Sequence, residues 1–129
     1  MLLLKRSLVD ACTAAGRAAD PNEFLGLLEG ERTKIEGEDS LLLTRVIVPP
    51  GLSVDGWSAG YLPWMLPSSI SEWGTFHSHP SGSARPSGAD LALASKEGGI
   101  HLLICRPYTP DKLIAYGGDG KRIQFKIVP

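Results

Sequence analysis

The sequence patterns follow the order helix, strands, helix, strands, and this order strongly limits the possible fold. Apolar residues at three- and four-residue steps predict an amphipathic helix over residues 4–19. A second helix is predicted from Ser87 to about Lys96, because Pro86 precedes it and two glycines follow it. This order predicts an α+β or mixed α/β domain built on a central sheet.

The predicted strands are short apolar runs that end at turn residues. They cover residues 23–28, 41–48, 73–77, 100–105, 113–116 and 122–128. A further short strand is predicted near residues 57–59, inside the irregular segment 53–71. Residues 30–39 are polar and predict a hairpin turn or loop, and residues 117–120 have the composition of a hairpin turn.

Length and composition predict one globular domain over residues 1–129 and exclude a wholly disordered chain. Apolar residues make up 43% of the 129 residues and charged residues 21%. The net charge is −1, so nucleic acid is not an expected partner. No apolar run reaches the roughly 18 residues of a membrane span. Cys12 and Cys105 lie in apolar surroundings and predict reduced, buried thiols in a cytoplasmic protein, although one disulfide is possible.

The chemistry of the chain is concentrated in His77-Ser78-His79-Pro80 and in Asp90. Histidines at positions i and i+2 of a strand point to the same face, about 6.5–7 Å apart at Cα, which suits two imidazoles that bind one ion. The loop after Pro80 can bring the next helix back over them, and Asp90 in its first turn would add an oxygen ligand. Two nitrogens and one oxygen without a fourth protein ligand are typical of a catalytic zinc site.

Each of these residues also has a simpler interpretation. An isolated His-x-His pair usually binds no metal. Ser87 and Asp90 form a capping-box pattern, which is compatible with a ligand role for the aspartate. His101, inside an apolar strand, predicts a hydrogen-bonded core or edge histidine. The three tryptophans predict core aromatics rather than a binding platform, and they are Trp57, Trp64 and Trp73.

Taken together, these residues resemble the JAMM motif of the JAMM/MPN zinc metalloprotease family. That motif has an upstream glutamate, then His-x-His-Pro, an aspartate separated from the second histidine by ten residues, and a serine three positions before that aspartate. His77, His79, Ser87 and Asp90 match it with the spacing intact. Glu23 corresponds to the glutamate, because it opens the first strand predicted after the first helix. The resemblance extends over most of the chain and is to the compact archaeal and bacterial members.

The resemblance implies a fold, a metal and a reaction. The fold would be a single MPN-like domain, with a central, mostly antiparallel sheet flanked by helices in the layering of cytidine deaminases. His77, His79 and Asp90 would hold one Zn²⁺ per chain, with a water in the fourth position. Glu23 would take a proton from that water and pass it to the leaving amine, and Ser87 would donate to the oxyanion. The bond cleaved would be the isopeptide or peptide bond after the tail of a ubiquitin-like protein.

The chain is too short for the two insertions by which larger eukaryotic members grip ubiquitin. The resemblance therefore implies a prokaryotic substrate with an extended C-terminal tail, either a ubiquitin-like modifier or a sulfur carrier. We expect the tail to add a strand at an edge within residues 53–71, with Trp57 and Ala59 as candidate contacts, and Gly82 and Gly88 to permit its close approach. Two alternatives are a non-catalytic scaffold of the same fold and a different metal-dependent hydrolase on that fold.

Overall fold

The computed structural model describes residues 1–48 and 72–129. The strands are β1 (Leu2–Lys5), β2 (Leu25–Ile35), β3 (Glu38–Ile47), β4 (Glu72–His79), β5 (Ile100–Cys105), β6 (Leu113–Gly117), β7 (Arg122–Ile123) and β8 (Phe125–Val128). The helices are α1 (Arg6–Ala19) and α2 (Gly88–Glu97), with a short 3-10 helix at Pro110–Lys112. The strand predicted at 57–59 and the candidate substrate edge at 53–71 lie outside the described residues, and with them Trp57, Ala59 and Trp64.

The described strands form one mixed sheet in the order β7-β6-β5-β4-β2-β3-β1-β8. The pairs β2–β3, β2–β4, β5–β6 and β6–β7 are antiparallel, whereas β1–β3, β1–β8 and β4–β5 are parallel. The prediction of an α+β domain with a central, mostly antiparallel sheet is therefore confirmed.

The sheet is curved strongly enough to bring its two edge strands together. β7 ends at Ile123 and β8 begins at Phe125, yet these strands occupy opposite edges of the sheet. Two residues that are two positions apart in sequence lie no more than about 7.6 Å apart at Cα. The end of β7 and the start of β8 therefore lie close together, and the sheet must be strongly curved.

Two apolar cores lie on the two faces of the sheet. On one face, α1 packs against β1, β3, β4, β5 and β8, and its buried residues include Leu8, Val9 and Cys12. On the other face, Ala94 of α2 packs in a smaller cluster with Tyr116 and two aliphatic residues of β5 and β6. Because strand side chains alternate between faces, β4 sends Phe76 into the first core and leaves its histidines on the α2 face.

The start of the chain differs from the helix predicted over residues 4–19. Residues 2–5 form β1, and the helix begins at Arg6. Leu4 is the partner of Leu43 in β3 and of Ile127 in β8, and it is fully buried. Its spacing from Leu8 fits a helix, but pairing with two distant strands determines its conformation.

The hairpin turn predicted at 117–120 is confirmed, whereas the hairpin turn or loop predicted at 30–39 and the strand predicted over 122–128 need correction. β2 and β3 continue through most of the polar segment and leave only Glu36 and Gly37 as the turn. The strand predicted over residues 122–128 divides at Gln124: β7 pairs with β6 as a hairpin, whereas β8 pairs with β1. Sequence pattern does not reveal this exchange of edges.

The remaining global expectations concern the thiols and the membrane. Cys12 and Cys105 are both buried and free, as the sequence indicated. Burial raises the pKa of the Cys12 thiol above its ordinary value. Among the described helices, none combines the length and apolar character of a membrane span.

Candidate metal centre

β4 positions both histidines of the motif on one face of the sheet. His77 is the register partner of Leu103 in β5 and of Leu25 in β2, so it lies in the middle of the sheet and is only 2% exposed. His79 is two residues further along, at the end of the strand, and is partly exposed. The two ring centroids are 5.1 Å apart, as expected for side chains at i and i+2.

The first turn of α2 brings Asp90 to the same place. Ser87 is the N-cap: its Oγ accepts a hydrogen bond from the Asp90 N–H at 3.1 Å. The Ser87 N–H in turn donates to Oδ2 of Asp90 at 2.7 Å, which completes a capping box. The cap thus fixes the carboxylate whose Oδ2 also faces the histidines, so the capping box is compatible with a ligand role for Asp90.

The three side chains have the separations of ligands around one small cation. Oδ2 of Asp90 lies 3.2 Å from Nε2 of His77 and 3.0 Å from Nε2 of His79. A tetrahedral ion with bonds of about 2.0–2.1 Å separates its ligands by about 3.3 Å. Within the described chain, both ring nitrogens of buried His77 lack a hydrogen-bond partner. A buried imidazole without such partners fits a metal ligand, because an unsatisfied buried polar group is otherwise costly.

The charges of the site favour an ionised carboxylate. Burial alone would raise the pKa of Asp90, but the contacts with His77 and His79 outweigh it and hold that pKa far below its ordinary range. The contact with Asp90 likewise raises the pKa of His79, against the opposing effect of burial. Asp90 is therefore an anion over the whole physiological range, as a metal ligand must be.

Glu23 and Ser87 lie on the exposed side of the cluster. Glu23 precedes β2, rather than opening it as predicted, and its side chain is 52% exposed. Its Oε1 is 3.9 Å from Nε2 of His79, which is too long for a hydrogen bond but directs the carboxylate to the site. The hydroxyl of Ser87 is used as an acceptor by the cap, so its own proton is free to be donated.

His101 and Trp73, which the sequence also singled out, make contacts within the core of the fold. His101 is buried and hydrogen-bonded, as predicted: its Nδ1 is 2.6 Å from Thr75 Oγ1 and its Nε2 is 2.6 Å from the Gly98 carbonyl. Burial lowers the pKa of His101, which favours the neutral ring. Trp73 packs at the edge of the main core, and its Nε1–H donates to the Gly30 carbonyl.

Sequence reasoning gave no role to two residues beside the cluster. Tyr116 is buried, stacks on His101 and meets the His77 ring edge-on at a centroid distance of 6.4 Å. Ser78 is fully buried between the two histidines and binds the backbone of Phe24. The signal for Ser78 was available, because a serine between two buried strand positions needs a hydrogen-bond partner. No pattern marked Tyr116.

Comparison with known proteins agrees with this fold and this cluster. Residues 5–115 match the family of prokaryotic homologs of the JAB domain. The chain belongs to this family. A protein of Haloferax volcanii named "Probable metalloprotease" is 36% identical to this JAB-family chain over 115 residues, which are 88% of this chain and 71% of the relative.

Solved structures agree with the JAB-family assignment over the whole fold. A JAB1/MPN domain protein from Archaeoglobus fulgidus superposes with a TM-score of 0.71 at 28% identity, with 98% of each chain covered. A second structure, described as a metalloprotease-like zinc site named JAMM in the proteasome and signalosome, gives a TM-score of 0.70 at 26% identity. That match covers 100% of this chain and 99% of the other. The resemblance to JAMM/MPN proteins is thereby confirmed, and the roles of the five site residues stay predictions.

Proposed function

We propose that the chain is a zinc metalloprotease of the isopeptidase type. Its substrate would be the bond after the extended C-terminal tail of a ubiquitin-like or sulfur-carrier protein. The observation that carries the proposal is the cluster of His77, His79 and Asp90, with its short carboxylate–imidazole distances and, among the described residues, a buried His77 ring without hydrogen bonds. The relative named a probable metalloprotease and the neighbour with a metalloprotease-like zinc site support the metalloprotease part of this proposal.

The donor set fits zinc better than the harder divalent ions. Two imidazole nitrogens and one carboxylate suit Zn²⁺, whereas Mg²⁺ and Ca²⁺ prefer oxygen ligands. Three protein ligands are the number found in catalytic zinc sites, which leave one position for water or substrate. When bound there, zinc would acidify a water and polarise the scissile carbonyl.

Glu23 would move the proton in this reaction. Its carboxylate lies at the exposed side of the cluster, 3.9 Å from the second histidine, where substrate and water have access. It would accept a proton from the attacking water and pass it to the leaving amine, which is the general acid–base work of a positioned carboxylate. Asp90 would not share this role, because its carboxylate would be the oxygen ligand of the metal.

Ser87 would stabilise the charge that develops on the substrate carbonyl. Its Oγ accepts the Asp90 N–H, and this fixes the oxygen at the N-terminus of α2. The hydroxyl proton is then available to a carbonyl oxygen at the site. A fixed donor of this kind can contribute about 3–4 kcal/mol to transition-state stabilisation.

The proposed substrate class rests on access as well as on resemblance. Counting only the residues that the structure describes, Gly82 and Gly88 have no heavy atom within 4 Å of the position of an added Cβ, so an extended chain would meet an open loop there. An extended tail also offers the backbone groups that strand addition uses. The free, buried thiols of the chain are consistent with a cytoplasmic setting for this substrate.

The deciding experiment combines metal analysis with cleavage of a linear fusion between a ubiquitin-fold carrier and a reporter. We expect about one zinc per chain in the parent protein and chelator-sensitive cleavage, with both lost in His79→Ala. Zinc without cleavage of several carriers would favour a different metal-dependent hydrolase. Absence of zinc after reconstitution would favour a non-catalytic scaffold.

The role of Glu23 has its own variant and a matched control. Glu23→Gln should keep its zinc and lose turnover by about 10²–10⁴-fold, because the amide cannot accept the proton. The control is Glu31→Gln, the same change at an exposed position of β2. Glu31 lies six residues beyond Leu25, or about 20 Å from Leu25 along the strand, so this variant should keep full turnover. Full turnover in Glu23→Gln would assign the base elsewhere.

A further inference from the structure

Among residues 1–48 and 72–129, no hydrogen bond fixes the Glu23 side chain. The carboxylate is half exposed, and its one ion-pair contact among the described residues is the 3.9 Å approach to His79. A general base must nevertheless be held closely, because a displacement of about 1 Å can cost about 100-fold in rate. Within the described part of the chain, the contacts that hold Glu23 in place are those of the backbone next to it.

The backbone next to Glu23 is bound to the strand that carries the histidines. The Phe24 N–H donates to Oγ of Ser78 at 2.8 Å, and the Ser78 N–H donates to the Phe24 carbonyl at 3.0 Å. In a regular antiparallel pair, both acceptors would be carbonyl oxygens. Here a side-chain hydroxyl replaces one carbonyl, immediately before Leu25 joins His77 in the ladder. The Ser78 hydroxyl thus holds the chain where it leaves Glu23.

The segment that connects α1 to β2 is also anchored at its other end, at Asp20. Asp20 receives two hydrogen bonds from the Arg106 guanidinium, at 2.6 and 2.8 Å, and one from the Tyr108 hydroxyl at 2.6 Å. The bond from Arg106, together with that from Tyr108, lowers the pKa of Asp20, so the carboxylate stays ionised. The three residues 21–23 therefore span two fixed points, Asp20 and Phe24, and both contact elements next to the metal cluster.

We infer that Ser78 is a positioning residue for Glu23, an assignment that rests on the proposed function. His77 and His79 face the metal cluster, and Ser78 between them faces the opposite side and holds the backbone of Phe24. One stretch of β4 thereby sets both the ligands and the location of the base. Ser78 itself touches neither substrate nor metal.

The test compares Ser78→Ala with Ser40→Ala. Ser40 is also a buried strand serine, and its hydroxyl bonds to the Glu38 carbonyl at 3.2 Å, remote from the cluster in β3. We expect Ser78→Ala to keep about one zinc per chain, to lose 10–100-fold in kcat and to change KM much less. Ser40→Ala should keep its kcat. Ser78→Cys has similar volume but a weak acceptor, and should show the same loss if the alanine variant folds poorly.

Two further readouts separate positioning from general damage. The Phe24 amide should exchange its proton faster in Ser78→Ala than in the parent, with and without zinc, because its acceptor is gone. In a Glu23→Gln background, Ser78→Ala should cost little additional turnover, since its effect passes through the missing base. If Ser78→Ala costs the same fold-loss in the parent and in Glu23→Gln, or if it leaves kcat unchanged, the inference about Ser78 is overturned and the proposed function is unaffected. A parent protein that cleaves no substrate would overturn the proposed function, and the inference with it.

Discussion

Replacement of Ser87 by alanine tests whether one hydroxyl has two separable tasks. The Ser87 Oγ caps α2 through the Asp90 N–H, and the same hydroxyl would donate to the oxyanion. Loss of an N-cap serine costs about 1 kcal/mol of stability, or about 3–5 °C in Tm for a domain of this size. Even from a total stability of about 5 kcal/mol, about 99.9% of the molecules stay folded.

The expected effect on turnover is far larger than the effect on folding. Removal of an oxyanion donor costs about 10²–10³-fold in kcat. Ser87→Ala should therefore lose about 100-fold or more at a temperature well below its Tm and still keep its zinc, since the backbone bond from Ser87 to Asp90 remains. Thermal unfolding, metal content and kcat are measured on the same preparation.

Two companion variants separate the tasks. Ser87→Asp keeps a strong cap acceptor without a hydroxyl proton, so it should recover the Tm and not the kcat. Ser87→Thr keeps both functions and should recover both. If Ser87→Ala cleaves at the parent rate, or if Ser87→Asp restores turnover together with Tm, the hydroxyl only caps the helix and the proposed donation is refuted.

The remaining predictions concern the stability of the fold around the cluster. His101→Ala should destabilise the chain by about 2–4 kcal/mol in urea unfolding, because it leaves a buried hydroxyl and a carbonyl unpaired, and it should retain zinc. Gly74→Ala should cost about 3 kcal/mol or more by the same assay, since its Cβ would lie 1.5 Å from the Ile100 carbonyl oxygen; a loss below 1 kcal/mol would contradict that approach. In the metal-free chain, the raised pKa of His79 adds stability below about pH 6.5, and this contribution is lost as the pH rises through the folded pKa of His79. The lowered pKa of Asp90 adds stability above about pH 4, and this contribution is lost as the pH falls through the folded pKa of Asp90. The lowered pKa of His101 acts in the opposite direction near pH 6, so the His79 contribution is measured as the stability difference between chelated parent and chelated His79→Ala. This difference should shrink from pH 5 to 8, and a difference that grows would contradict the expected sign. Stabilisation by added zinc should grow with pH.

The grouping of His77, His79 and Asp90 was predictable because the placement of each side chain follows from a local rule. Alternation along a strand places His77 and His79 on one face, and the capping pattern places Asp90 in the first turn of a helix. Neither rule depends on distant contacts. Glu23 was less accessible, since the first strand begins two residues later than its apolar run suggested and the glutamate belongs to the connection before it.

The errors in the fold arose where distant pairing decides the structure. Leu2, Leu3 and Leu4 are compatible with a helix, and they become a strand because β3 and β8 both bind it. The polar segment after Gly30 has no apolar pattern, yet it continues as strand because β3 pairs with it up to Ile35. Single-sequence patterns describe which face a residue would occupy, and they carry no information about which strand lies alongside.

The alternation of β4 makes the candidate site depend on strand register. A shift of one residue would turn Ser78 toward the cluster and both histidines toward the main core, so the ligands and the backbone anchor of Glu23 would fail together. At Gly74 the neighbouring β5 backbone lies closer than any Cβ would permit, and this contact holds β4 in one register against Ile100. A glycine at the start of the strand thus supports the chemistry at its end. Gly74 is needed for the packing of β4 against β5, and the register that this packing sets places the two histidines on the α2 face.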